Sequence, residues 1–282
     1  MQVTTLIENK GPEERADLRP EFGLSLHIEH QGSRVLFDAG DSGVFADNAA
    51  ALGVDLTAVD AAVLSHQHYD HGGGLERFLE LNQRASVYLR DSPLRERRFE
   101  AEGEEGRDIG IDPAVVQRHA GRFERISGER QLMPGIFALT DIGAWHPRPR
   151  GNRWLLERRD GQLQPDRFEH ELLLVVRSSD GLVVFTGCSH SGVLNMIDTA
   201  RARFPGEPIK AVFGGFHLLG LPHRDSMAAS REEVEALGRQ IAARVSGAVY
   251  TGHCTGDKAL AVLEAVMAPT LRAFHTGTSV EV

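Results

Sequence analysis

Ala61-Ala62-Val63-Leu64-Ser65-His66-Gln67-His68-Tyr69-Asp70-His71 sets four metal-competent side chains within six positions, directly after a short apolar run. Neutral imidazole nitrogen and carboxylate oxygen are the usual ligands of first-row metals, and Zn²⁺ suits that mixture. An Asp buried alone beside three histidines is expensive to desolvate, and a bound dication removes that cost. The competing reading is a polar surface turn that happens to be rich in histidine. The apolar run reads as a buried strand leading into the cluster. Gly72-Gly73-Gly74 behind it would let the backbone pass close to a metal.

Outward from this stretch, the 282 residues can bury a substantial core. One domain over 1–282, with an embedded cap, fits better than two independent units. Hydrophobic residues at 41% and charged residues at 25% place the chain among ordinary globular proteins. A formal charge of −9 offers no positive field for counterion release and so argues against nucleic acid. A small anionic substrate is still admissible, because it responds to the pocket and not to the average surface. Apolar runs fall short of the ~20 residues of a membrane span. Met1–Glu8 has neither a basic region nor a long apolar one, so the cytoplasm is the expected compartment. Cys188 and Cys254, the only cysteines, each sit beside a histidine in a glycine-rich turn, where a disulfide is not expected.

Alternating runs predict strands at Val3–Ile7, Leu24–Ile28, Arg34–Phe37, Ala61–Leu64 and Ser86–Leu89, with helices at Ala46–Leu52 and Leu75–Leu81. Residues 91–133 are densely charged and broken by Pro93, Gly103, Gly106 and Pro113. They read either as a solvated excursion or as a partly helical cap over the site. Arg148, Arg150, Arg153, Arg158 and Arg159 form a basic stretch, either a wet surface or an anion clamp. Beyond residue 170 the pattern becomes β-α-β. Strands are expected at Leu172–Val176, Leu182–Thr186, Lys210–Phe213 and Ala248–Tyr250, and helices at Val193–Phe204, Arg231–Arg244 and Lys258–Val266. The class is α/β or α+β in layers.

Four of these apolar runs end in a Gly- or Ser-bearing turn that carries a histidine: His66, His190, His217 and His253. Ligands gather outside the carboxyl ends of strands in open sheets, so four imidazoles at strand ends predict one convergent site. Asp38, ending Val35-Leu36-Phe37, is a candidate partner for the second nitrogen of a ligand histidine. His170 and His223 could reach the pocket from loops. The remaining histidines read as structural.

These residues resemble a known family. His66-Gln67-His68-Tyr69-Asp70-His71 resembles the H-x-H-x-D-H signature of the metallo-β-lactamase-fold superfamily. Glu21-Phe22-Gly23-Leu24-Ser25, Phe37-Asp38-Ala39-Gly40, Thr186-Gly187-Cys188-Ser189-His190-Ser191-Gly192, Gly214-Gly215-Phe216-His217-Leu218 and Thr251-Gly252-His253-Cys254-Thr255-Gly256 are similar to one branch of it. That branch holds the archaeal 7,8-dihydropterin-6-methyl-4-(β-D-ribofuranosyl)-aminobenzene-5′-phosphate synthases. The resemblance implies an α+β fold, an αββα sandwich of two packed mixed sheets flanked by helices. It implies two divalent metal ions, zinc first and manganese or iron as alternatives. His66, His68 and His190 would hold one, and Asp70, His71 and His253 the other. Many hydrolases of the superfamily carry a bridging Asp where this chain has Gly187-Cys188. Either Cys188 ligates as thiolate or His190 and His217 reorganise the site.

The expected activity is that of a metallohydrolase, a phosphodiesterase or an enzyme of related phosphorylated small molecules, using metal-activated water. Asp70 would bind metal and orient the nucleophile. His217 would act as an acid or oxyanion donor, or else as a brace. The alternatives are a pterin/aminobenzene ribosyl phosphate synthase, as the archaeal relatives imply, and a non-catalytic metal-dependent sensor of small molecules.

Overall fold

The computed structural model describes residues 1–103, 105–221 and 226–282. His223 lies outside them. Strands β1 (Gln2–Ile7), β2 (Ser25–His30) and β3 (Ser33–Phe37) run antiparallel. Helix α1 (Val44–Ala51) then crosses to β4 (Ala61–Val63), and α2 (Tyr69–Gly72) with α3 (Leu75–Leu81) crosses to β5 (Ser86–Arg90). Both crossovers give parallel neighbours. Next come β6 (Arg97–Phe99), β7 (Arg107–Asp108), α4 (Pro113–Arg118), β8 (Phe123–Ile126), β9 (Glu129–Met133), β10 (Ile136–Leu139), β11 (Leu155–Arg159) and β12 (Gln162–Pro165). The last part runs β13 (Leu173–Ser178), β14 (Gly181–Phe185), α5 (Val193–Arg203), β15 (Ile209–Phe213), α6 (Arg231–Ala242), β16 (Val245–Thr251), α7 (Asp257–Met267), β17 (Leu271–Ala273) and β18 (Ser279–Glu281).

Two seven-stranded mixed sheets result, ordered β18-β1-β2-β3-β4-β5-β8 and β17-β16-β15-β14-β13-β10-β9. Their facing sides interdigitate through Leu26, Ile28 and Phe37 from one sheet and Val183, Phe185 and Phe213 from the other. The outer face of the first sheet packs on α1 and α3 through Leu36, Phe45, Ala62 and Phe78. The outer face of the second packs on α5, α6 and α7 through Val184, Ile197, Val234 and Leu263. This is the αββα sandwich expected. β4, β14 and β15 are buried along nearly their whole length, so they read as largely apolar runs and not as alternations.

A third sheet, β12-β11-β6-β7, lies over the site edge and packs there through Phe168, Ile109 and Leu155. The charged segment 91–133 therefore splits. Only β6 and β7 join this small sheet, while β8 and β9 return to the two large ones. β8 to β12, β17 and β18 lack the clear alternation that the sequence reading used. The five arginines of 148–159 are mostly engaged within the protein. Arg148 donates to the Arg167 carbonyl, Arg150 pairs with Glu233, Arg158 with Glu96 and Arg159 with Glu157, and Arg153 stacks on Trp154. The stretch forms a seam of internal contacts, three of them ion pairs. No described helix is long and apolar enough to cross a membrane.

Candidate metal centre

Parallel pairing delivers the chemistry to one edge. Phe37 aligns with Val63, while Phe185, Phe213 and Tyr250 align with one another, so the loops that follow leave their sheets side by side. Those loops carry Asp38, His66, Cys188 with His190, His217 and His253. Burial is nearly complete: His66 and His71 are 0% exposed, His190 1%, His253 2% and Asp70 7%.

Ligand-type atoms of His66, His68 and His190 lie within 4.8 Å of one another, and so do those of Asp70, His71, Cys188 and His253. In the second group His71 Nε2 is 3.2 Å from His253 Nε2 and 3.0 Å from Cys188 Sγ, and His253 Nε2 is 3.2 Å from Asp70 Oδ2. The six residues that the family resemblance implied as ligands lie in these two groups. Cys188 joins them, filling the position where a carboxylate was missing.

Do these atoms fit a cation? Nε2 of His66, His68 and His190 is buried with no hydrogen-bond partner among the described residues. An unsatisfied buried polar atom costs about 1–3 kcal/mol, so three at one point call for a shared partner. Burial, and then neighbouring imidazoles, holds all three far below the ordinary histidine range, which keeps them neutral. Burial also opposes charge on His71, yet Asp38 and Asp70 outweigh it and raise that imidazole to about 9. Asp70 is held well below the carboxylate range because His71 and His253 overcome the effect of its burial. Burial and the adjoining Cys254 sulfur push the Cys188 thiol up. A proton on His71 thus occupies a spot among His253, Asp70 and Cys188 where a dication has four donors, so the residues fit a metal in both groups.

The partners behind the rings decide which nitrogen faces inward. Asp38 Oδ2 accepts from His71 Nδ1 at 2.6 Å and from Ser65 Oγ at 2.7 Å. With its own hydrogen given to Asp38, Ser65 Oγ can only accept from His66 Nδ1, at 2.8 Å. The expected role of Asp38 is borne out for His71 and extends to His66 through Ser65.

His170 does not enter the cleft. Its Nδ1 accepts the Gln67 N–H at 2.9 Å and its Nε2 donates to Asp166 at 3.2 Å, so it braces the ligand loop from behind. His68, Asp166 and His170 also cluster. Arg97 Nε already stands 3.5 Å from Asp166 there, and both His170 nitrogens are used. The glycines at 72–74 pack tightly against protein atoms, and a Cβ at Gly72 would meet the Ile111 and Leu64 side chains. Cβ atoms at Gly73 and Gly74 would meet the carbonyls of Asp41 and Ala39, so these positions allow backbone-to-backbone packing.

Several residues escaped the sequence reading. Glu171 is fully buried and accepts the His190 and Ser191 amides at 2.7 and 2.6 Å, and burial drives its carboxyl up to about 7. Glu8 accepts the His253 amide at 2.6 Å. Phe168 stacks on His190 at 4.4 Å. Asn9 and Asn152 bond to His253 and His190. Glu8 and Asn9, just past β1, had a position after a strand as their only local signal, and the others had none, because their partners are 19 to 245 positions away.

His68, Asp70, Cys188 and His190 line a cleft of about 80 Å³. Phe22, Phe99, Ile109, Trp154 and Leu219 give it apolar walls, and Arg107 stands over the Phe99 ring at 5.3 Å. His217 faces this cleft, packed against His190 at 4.3 Å, with both ring nitrogens free of hydrogen-bond partners among the described residues.

Known proteins share this fold. The family model of the metallo-β-lactamase superfamily matches residues 18–247. The 7,8-dihydropterin-6-methyl-4-(β-D-ribofuranosyl)-aminobenzene-5′-phosphate synthase of Methanocaldococcus jannaschii is 28% identical over 258 residues, 85% of this chain and 82% of that protein. Tm1679, a metal-dependent hydrolase of the β-lactamase superfamily, superposes at a TM-score of 0.81 with 31% identity, over 100% of this chain and 99% of its own. Zn²⁺-bound PqqB from Methylobacterium extorquens, 13% identical with both chains covered completely, shares the fold at a TM-score of 0.59. The chain belongs to the metallo-β-lactamase superfamily.

Proposed function

We propose that this protein is a metal-dependent hydrolase of a small anionic molecule, a phosphodiester or a related phosphorylated compound. The observation that carries the reading is the set of three orphaned, neutral imidazole nitrogens lying beside a second group of four donors, at the base of an open cleft. His66, His68 and His190 would hold one divalent ion, and Asp70, His71, His253 and Cys188 a second. Zinc is the first choice for such imidazole-rich groups, with manganese and iron next. Bound there, the ions supply the Lewis acidity that activates water for attack at phosphorus.

The chain's own residues do the rest. Asp70, whose Oδ2 lies 3.2 Å from His253 Nε2, lines the cleft and would orient the attacking water. His217 faces the cleft with both nitrogens unengaged, and donates a proton to the departing oxygen. The apolar walls exclude water around the substrate, and Arg107 offers a cation at the rim.

A second reading is a synthase joining a flat heterocycle to an aryl ribosyl phosphate. Two observations favour it: the aromatic lining of the cleft and the 28% identity to the Methanocaldococcus jannaschii synthase. One set of assays separates the two. Purified protein, stripped by a chelator and reloaded with zinc or manganese, is expected to regain cleavage of an aryl phosphodiester, and His217→Ala to lose at least tenfold in kcat with metal content unchanged. Cleavage indifferent to chelation sinks the hydrolase reading. Product formed from a pterin and an aminobenzene ribosyl phosphate, without aryl diester cleavage, establishes the synthase.

A further inference from the structure

We infer that Asn9 and Asn152 are positioning residues, one for each group of ligands, each fixing the proton on a single distant histidine. The inference rests on the metal-binding reading above. Asn152 sits in the turn Arg150–Trp154. Its Nδ2 donates to the His190 carbonyl at 2.8 Å while its Oδ1 lies 3.1 Å from His190 Nδ1. Asn9 follows β1 and repeats the contact on the other group. Its Nδ2 donates to the His253 carbonyl at 3.3 Å and its Oδ1 lies 2.9 Å from His253 Nδ1. The Gly23 N–H bonds to the same Oδ1 at 3.2 Å and holds that amide in place.

The chemistry of these contacts leaves no freedom. A carbonyl oxygen only accepts, so the amide nitrogen must face it. The atom turned to the ring is then Oδ1, which also only accepts. Nδ1 must therefore carry a proton, and in the neutral ring this leaves the Nε2 lone pair directed at the ligand group, at His253 with Asp70 Oδ2 3.2 Å away. A histidine with the opposite tautomer would present N–H to a cation and could not bind it. Ser65 and Asp38 perform the same service for His66 and His71, but those two belong to the local signature segment. His190 and His253 arrive on separate glycine-bearing loops after β14 and β16. There Glu171 and Glu8 hold the main chain and the two asparagines hold the rings. The two clamps share no residue, so removing one leaves the other intact.

The prediction is position-selective. Wild-type, Asn152→Ala and Asn9→Ala proteins are titrated with Zn²⁺ against a chromophoric chelator and with Co²⁺ followed by absorption. His66→Ala and His253→Ala proteins serve as references for loss of one group. Asn152→Ala is expected to lose about 10- to 100-fold in affinity at the His66 group only, and Asn9→Ala the same at the His253 group only. Long-range ¹H–¹⁵N spectra of the metal-free proteins should show His190 and His253 protonated at Nδ1 in the wild type. Each should lose that preference in its own variant. Asn152→Asp and Asn9→Asp keep an acceptor towards the ring, so they should retain the Nδ1–H form and bind metal more tightly than the alanine variants. They also carry the test if the alanine variants do not fold. Equal weakening of both groups, unchanged affinity, or Nε2-protonated His190 and His253 in the wild type would overturn the inference. A wild type that binds no metal would overturn the reading beneath it, while the spectra still decide which nitrogen each asparagine protonates.

Discussion

Asp38, Ser189, His217 and His253 all adopt left-handed backbone, with φ of +60°, +58°, +49° and +51°. Such conformations cost an L-residue roughly 1–2 kcal/mol each, and they persist where surrounding contacts over-determine them. Those contacts are visible: the Glu8 carboxylate on the His253 amide, the Ser189 hydroxyl on the Gly215 carbonyl, and the Asp38 carboxylate on Ser65. The strain tracks the loops that carry the candidate ligands, and it turns their side chains inward. His27 presents a different problem at the same scale. It is 3% exposed on β2, aligned with Leu36, and its Nε2 has no partner among the described residues. Burial lowers its pKa from 6.5. The unfolded chain therefore takes up that proton more readily. The stability owed to neutral His27 is complete above pH 6.5 and is lost as pH falls from there through the lower folded value. His27→Leu should accordingly gain more over wild type in urea midpoint at about pH 5.5 than at about pH 7.5. A gain independent of pH would exclude this account.

Between elements, the decisive contact joins the loop after β3 to the helices after β4. A Cβ at Gly74 would stand 2.2 Å from the Ala39 carbonyl and 2.4 Å from that of Ser42, and one at Gly73 would stand 2.0 Å from that of Asp41. This backbone contact seats Asp38 beside His71, with the Ala39 amide bonded to the His71 carbonyl at 2.7 Å. Gly74→Ala should therefore cost about 3 kcal/mol in denaturant unfolding, the upper end of ordinary overpacking. It should also weaken metal binding, because the Asp38–His71 pair is pulled apart. Wild-type stability in this variant would show that the two loops do not press on each other as described.

Across the whole molecule, each ligand group draws on both sheets. His66 and His68 come from the first sheet and His190 from the second, while Asp70 and His71 face Cys188 and His253. A cation bound in either group ties the two layers together at the edge where their loops meet. Zinc at one hundred times its dissociation constant should stabilise the fold by about 2.7 kcal/mol, an upward shift in Tm that a chelator abolishes. His253→Ala should show a smaller shift. A Tm unmoved by zinc in the wild type would mean that no cation bridges the layers.

The signature segment, the strand-and-turn histidines and the late β-α-β pattern were legible because each is local. A buried parallel strand is a short apolar run, and a ligand loop is a histidine beside glycine or serine. From these a layered fold, one convergent site and the role of Asp38 could be read, while the two-sheet sandwich and the set of six side chains came from the family resemblance. Tertiary structure alone decided the rest. Only folding brings Cys188 to His71, the Asn9 and Asn152 amides to His253 and His190, and the Glu8 and Glu171 carboxylates to amides far along the chain. A hydrogen bond is set by distance and angle between atoms, and no periodicity in one segment records which remote segment will supply its partner.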